Sequence, residues 1–187
     1  MVISQQGCGG AKGMGVYDEF YAFRNNYNIG QALISSIATR YSRITVRLNK
    51  DFWNTESDTA HSLYVGSYGR DTAARGISDL DVAFRLPYQT YAQYNAYQGN
   101  GQSALLQVVK NSLLKTFHSS SLGGDGQVVV LTFDDGIKFD ILPVFDNKDG
   151  TWTYPNSNAG GNWKVCNPKA EIAAVQNRNR AANGNLK

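Results

Sequence analysis

Two cysteines, two histidines and a net formal charge of only +3 across 187 residues exclude several kinds of protein at once. Cys8 and Cys166 are too few for a disulfide framework or a cysteine-rich zinc site, and their wide separation in sequence argues against a local metal clip, so both are expected to be free thiols. His61 and His118 fall outside every motif described below and are expected to fill surface or packing roles. Eighteen Lys and Arg against fifteen Asp and Glu tolerate an anionic ligand but fall short of the charge pattern of a nucleic-acid-binding domain. No apolar run approaches the ~18 residues of a membrane span. The first ten residues have neither the basic start nor the apolar stretch of a secretory signal, so a cytoplasmic location without a membrane partner is expected.

What the sequence does contain is core-forming material: 42% of residues are apolar and 12% aromatic, enough for one globular domain with a real core. Five glycines surround Lys12 near the start, but no Ser or Thr follows that lysine and no strand precedes it, as a phosphate-cradling loop would require. Residues 1–15 are therefore expected to be a flexible glycine-rich tail, and residues 16–187 the folded core.

Ile34, Ile37, Tyr41, Ile44, Leu48 and Phe52 recur three or four apart, which predicts a long amphipathic helix from about Asn28 to Phe52. Arg40, Arg43, Arg47 and Lys50 lie on its other side, where a solvated face is the simpler reading and a polyphosphate or nucleic acid the alternative. Ser62 to Ser67 reads as a strand running into a turn. Asp79 to Arg85 alternates strictly, with Leu80, Val82 and Phe84 on one face and Asp79, Asp81 and Ala83 on the other. A helix is expected over Ala104 to Phe117, and a hairpin joins the apolar run Gln127 to Phe133 through Asp134-Asp135-Gly136 to a strand over Ile137 to Phe145. In that strand Lys138, Asp140 and Leu142 share one face. A short strand over Thr151 to Tyr154 is expected next. Asn167-Pro168 pairs a capping side chain with Pro at the first helical position and so starts a final helix, ending near Gly184.

Three carboxylates and one turn carry the chemistry. Asp79 and Asp81, two apart on a strand, project from one face with Cα atoms ~6.6 Å apart, and Asp140 from a neighbouring strand can complete the pocket. Such a set can hold two divalent ions, the usual means of stabilising both attacking and leaving oxygens in an in-line phosphoryl displacement; hard oxygen ligands select Mg²⁺ or Mn²⁺. Gly66-Ser67, at the end of a strand, lets backbone N–H groups approach phosphate oxygens and adds a hydroxyl donor. Paired aspartates often line a solvated strand face, and Gly-Ser is often only a turn. Their combination, with eleven residues between Ser67 and Asp79, points instead to nucleotidyl transfer from a nucleoside triphosphate.

Gly66-Ser67 through Asp79-Leu80-Asp81 resembles the signature of the DNA polymerase β-like nucleotidyltransferases. The fuller string, Gly-Ser-Tyr-x-Arg-x-Thr with Ser-Asp-Leu-Asp, preceded by Arg47-Leu48-Asn49 and followed by Phe-Asp-Ile-Leu-Pro-Val and the segment Trp163 to Pro168, is similar to the bacterial cGAS-like enzymes (CD-NTases) that make cyclic oligonucleotides in anti-phage signalling. The resemblance runs from about Tyr17 to the end. It implies an α+β fold, a mixed β-sheet with a long N-terminal helix and further helices packed on it. It also implies metal binding and catalysis by Asp79, Asp81 and Asp140 with two Mg²⁺ (or Mn²⁺), Asp140 serving as general base. Nucleoside triphosphate contacts fall to Gly66 and Ser67, with Tyr68 and Arg70 in the same turn; Arg70 either touches phosphate or braces the turn. Trp152, Tyr154 and Trp163 either stack on a base or pack in the core.

The resemblance leaves room for a regulatory protein partner. The cysteine count leaves no zinc insertion of the vertebrate kind, so activation by double-stranded DNA is not expected. Members of the family carry a helical second half, which would begin where Lys187 stands. An antitoxin-type nucleotidyltransferase that transfers AMP to a partner protein, and an inactive nucleotide-binding scaffold, are the rival readings. The long helix before Gly66 disfavours the first of these, and the three intact carboxylates disfavour the second.

Overall fold

The computed structural model describes residues 30–70 and 79–182. The expectations for the tail over 1–15, for Cys8 and for the Thr72 and Ser78 positions of the motif lie outside the described residues.

The first helix among the described residues, α1 (Gln31–Phe52), follows the predicted stripe: Ile37, Ile44 and Leu48 are fully buried, and Tyr41 and Phe52 pack against the same core. The basic side is engaged within the chain. Arg40 forks onto Asp135 at 3.0 and 2.8 Å, Lys50 reaches Glu56 at 2.8 Å, Arg47 pairs with Asp51, and the Arg43 guanidinium lies over the Phe117 ring. The cations of this face are thus engaged within the chain, Arg40 and Arg47 being mostly shielded from solvent. The helix end is fixed by the buried Asn49, whose amide donates to the Ser57 and Ala60 carbonyls and whose oxygen faces His61 Nδ1 at 2.7 Å. His61 also stacks on Trp53 at 3.9 Å, which gives this histidine the packing role expected of it.

Strands β1 (Ser62–Tyr64), β2 (Asp79–Arg85), β3 (Ser121–Asp125), β4 (Val128–Thr132), β5 (Lys138–Asp146), β6 (Trp152–Asn156) and β7 (Asn162–Cys166) form one mixed sheet. Its order is β1-β2-β5-β4-β3, and β6 and β7 continue from the far end of β5. The β2–β5 pair is parallel; the remaining pairs are antiparallel. Between them lie the helical turn α2 (Gly66–Gly69) and helices α3 (Tyr88–Asn95) and α4 (Gly101–Leu114), with α5 (Pro168–Ala181) last. The hairpin between β4 and β5 turns at Gly136, whose φ of +83° suits a residue without Cβ. Asn167 caps α5 by accepting from the Ala170 N–H at 3.1 Å, with Pro168 at the first helical position as predicted. The final helix ends at Ala181, three residues before the expected stop.

Strand alternation divides the sheet into two faces with different duties. Leu80, Val82, Phe84, Phe139 and Ile141 point to one side and form the main core with Leu48 of α1 and Leu105, Val109 and Leu113 of α4. The opposite side carries a small second core of Val65, Ala83, Val144 and Trp152 at one end. Trp152 is 1% exposed, so it belongs to the core rather than to a base-stacking surface. The other end of this second face bears the carboxylates. Among the described residues, no helix is long and apolar enough to cross a membrane.

Candidate functional site: a carboxylate cleft beside a glycine turn

The parallel register of β2 and β5 sets Asp79 opposite Lys138 and Asp81 opposite Asp140. In a parallel pair such partners lie one strand spacing apart, roughly 4.8 Å, with side chains on the same face. Two carboxylates are thereby crowded together by backbone geometry alone. The turn α2 closes over them. The Val65 N–H donates to the Asp81 carbonyl at 2.9 Å, so the residue before the turn is tied to the strand that carries the acids.

Gly66 then passes so close that a Cβ there would lie 1.8 Å from Asp81 Oδ2, and its φ is +59°. A side chain here is opposed on both counts: the Asp81 carboxylate would have to shift, and the left-handed backbone disfavours a residue with Cβ. At Gly69 the obstacle is different, because a Cβ would meet the Tyr64 carbonyl oxygen at 2.2 Å in an otherwise ordinary conformation.

A cleft of about 320 Å³ opens from this point, lined by Gly66, Arg70, Asp81 and Asp140 together with Gln127, Tyr154, Cys166 and Glu171. Arg70 extends across it towards Glu171 of α5, 3.9 Å away. Of the expected site residues, the fold thus brings Gly66, Arg70, Asp81 and Asp140 together around one space. Tyr68 turns instead towards Tyr64, with ring centroids 4.7 Å apart, and Tyr64 stacks in turn on Tyr41 of α1 at 4.1 Å. Ser67 occupies the turn itself, next to Gly66. Trp163 packs on Tyr91 and Phe145 and donates its indole N–H to Asn95 at 3.0 Å, so only Tyr154 of the three aromatics lines the cleft.

Asp140 holds the strongest electrostatic position. One of its oxygens, Oδ1, is buried without a hydrogen-bond partner. Burial first, and then the negative charge of Asp81, push its carboxyl above the usual carboxylate range, with Lys138 opposing and Asp79 and Asp125 adding to the rise. A buried, unsatisfied carboxylate oxygen beside a second carboxylate fits a divalent cation, which would satisfy the one and neutralise the repulsion. Asp79 stands apart from this pair, because its Oδ1 accepts from Lys138 Nζ at 2.8 Å. Among the described residues, no three His, Cys, Asp or Glu side chains are already gathered as a metal cluster. Asp81 and Asp140 therefore fit a metal as they stand, and for Asp79 to join them its ion pair with Lys138 has to give way.

A raised carboxyl pKa has a thermodynamic sign. The folded state binds this proton more tightly than the unfolded state, so the ionised form costs stability at neutral pH; the cost begins to fall as pH drops to the folded-state pKa and is gone below the ordinary carboxylate range. Asp140→Asn, which removes the repulsion and supplies a donor beside Asp81, is expected to raise the Tm of the metal-free protein at pH 7 by about 1–4 °C. Thermal melts at pH 7 and near pH 4, the ordinary carboxylate range, check this: the gain should shrink at the lower pH.

Lys138, Gln127 and Glu171 carry no motif signal that marks them for the site, whereas Tyr154 was already a candidate. Lys138 could have been found from its alternation with Asp140. Gln127 and Glu171 are brought in beside β4 and on α5, whose placement depends on tertiary pairing.

These features define the polymerase β-like nucleotidyltransferase fold: a mixed sheet, a glycine turn packed on the carboxylate strand, and acids on two adjacent strands. Residues 14–179 match the Second Messenger Oligonucleotide or Dinucleotide Synthetase domain, and the chain belongs to that family, that of the bacterial cGAS-like CD-NTases. Solved structures agree on the fold. The Bradyrhizobium diazoefficiens CD-NTase CdnG, in complex with GTP, superimposes with a TM-score of 0.60 at 17% identity, over 79% of this chain and 42% of that one. E. coli CdnC, in a complex with HORMA, gives 0.59 at 19% identity, over 87% and 50%. The Elizabethkingia meningoseptica CdnE cyclic dinucleotide synthase, with GTP and Apcpp, gives 0.56 at 17% identity, over 78% and 53%. The chain spans about half the length of these proteins. No curated protein matches it.

Proposed function

We propose that this chain is the catalytic core of a Mg²⁺-dependent nucleotidyltransferase that makes a cyclic oligonucleotide second messenger from nucleoside triphosphates in anti-phage signalling. The observation that carries the reading is the register of Asp81 against Asp140 across parallel strands, with Gly66 pressed onto Asp81. Membership of the family and the nucleotides named with its solved structures support it.

Asp79, Asp81 and Asp140 would hold the two metal ions, which when bound stabilise the charge on the attacking and leaving oxygens. The chain's own groups do the rest. The Gly66-Ser67 turn offers backbone and hydroxyl donors to the triphosphate. Asp140, which lies where the attacking hydroxyl must lose its proton, is suited to take that proton as the oxygen bonds to the α-phosphorus and pyrophosphate departs. Arg70, reaching over the cleft, adds positive charge at its rim.

Incubation of the full-length gene product with labelled nucleoside triphosphates and Mg²⁺, followed by phosphatase, tests the proposal. Phosphatase-resistant cyclic product is expected. Label attached to protein would favour AMP transfer to a partner, and the absence of any transfer would favour a scaffold. Ser67→Ala removes one donor among several, so it is expected to weaken triphosphate binding by about 1–2 kcal/mol, or roughly 5- to 30-fold, in a calorimetric titration.

A further inference from the structure

Lys138 sits on the same face of β5 as Asp140, two residues away, and directly opposite Asp79 in the β2–β5 register. Its ammonium holds Asp79 Oδ1 at 2.8 Å, with the two side chains 38% and 50% exposed. Asp81 and Asp140 line the cleft beside this pair, and the charge of Asp79 still reaches Asp140. We propose that Lys138 is a resident cation of the site: it occupies Asp79 in the metal-free chain, and a divalent ion must displace it to be held by all three aspartates. The inference rests on the metal reading given under Proposed function and adds to it a positioning residue that sets how tightly metal binds.

Two physical points favour displacement over a permanent pair. An ion pair this exposed is held weakly, since water screens it and two side chains lose freedom to make it. A divalent ion between carboxylates, one of which has a buried unsatisfied oxygen, gains both a larger charge interaction and that missing ligand. Lys138 therefore lowers metal affinity without abolishing it.

Mn²⁺ binding to the whole chain without nucleotide, followed by electron paramagnetic resonance, tests this. Lys138→Met should bind Mn²⁺ about two- to fivefold more tightly than the parent, and Lys138→Arg, which retains a cation for Asp79, should stay close to the parent. In an Asp79→Asn background most of the Lys138→Met gain should be lost, leaving only the small part that comes from the Lys138 charge near Asp140. Unchanged or weaker Mn²⁺ binding by Lys138→Met overturns the proposal. So does a gain that is undiminished in the Asp79→Asn background, which would reduce Lys138 to a source of general positive field. Asp81→Asn separates the two levels. If it leaves Mn²⁺ binding intact, the metal reading itself has failed. If it weakens binding while Lys138→Met brings no gain, only the role of Lys138 falls. Circular dichroism on each variant confirms that the fold is retained.

Discussion

Asp79→Asn combined with Asp81→Asn is expected to lower nucleotidyl transfer by at least about 10³-fold while the protein stays folded. The loss follows from removing two of three oxygen ligands from a site whose chemistry depends on charge neutralisation around the phosphates. The retained fold follows from the position of the two residues: Asp79 is exposed and Asp81 faces the cleft, so neither substitution empties the core. Replacing carboxylates by amides of the same shape also lessens the repulsion acting on Asp140. Product formation and a thermal melt on the same sample check both halves. More than a few per cent residual turnover in Mg²⁺ would remove these residues from the metal site.

Gly66→Ala is the second large effect, and it operates through a methyl group. The left-handed backbone at this position costs an L-residue about 1–2 kcal/mol, or about 2–8 °C in Tm. The larger consequence is for catalysis. With the new Cβ 1.8 Å from Asp81 Oδ2, either the carboxylate or the turn must move by more than an ångström. A displacement of that size in a reacting constellation costs on the order of 10²-fold in rate. Gly69→Ala provides the contrast, since its Cβ meets the Tyr64 carbonyl and leaves Asp81 untouched. Gly69→Ala should destabilise the protein with a smaller effect on the chemistry per degree of Tm lost. Steady-state rates for the two variants, set against their melting temperatures, distinguish a site effect from a general loss of fold.

The parts of this molecule that were legible in its sequence are those fixed by local periodicity. The stripe of α1, the alternation of β2 and β5 and the Asn-Pro start of α5 are each determined by residues close in the chain, and each stands where it was expected. The alternation alone separated the aspartates from Leu80, Val82 and Phe84. Elements that depend on a partner were not legible. β3 is Ser-Leu-Gly-Gly-Asp, a sequence with little intrinsic strand preference, and it is extended because β4 pairs with it along its whole length. β7, Asn-Trp-Lys-Val-Cys, follows a loop rich in Asn and Gly, is too short to stand out by alternation, and is held as a strand by pairing with β6. α3 presents tyrosines three apart, of which only Tyr94 is buried, so no full apolar stripe marks it as a helix.

The candidate site divides in the same way. Asp79, Asp81, Asp140 and Gly66 are motif residues and could be named in advance. That Asp81 faces Asp140 while Asp79 faces Lys138 depends on the register of two strands far apart in the chain, which no local pattern encodes. Tyr68 carries the same lesson in reverse: its place in the motif suggested the nucleotide, whereas its ring completes a tyrosine stack running back to α1.

The most direct test of the central claim is calorimetric titration of the chain with a hydrolysis-resistant triphosphate analogue, in Mg²⁺ and again in EDTA, using the parent and Asp81→Asn. Binding that requires Mg²⁺ and is lost in Asp81→Asn is the predicted result. Binding of equal strength in EDTA, or binding that survives Asp81→Asn unchanged, would contradict a metal-dependent triphosphate site at these carboxylates.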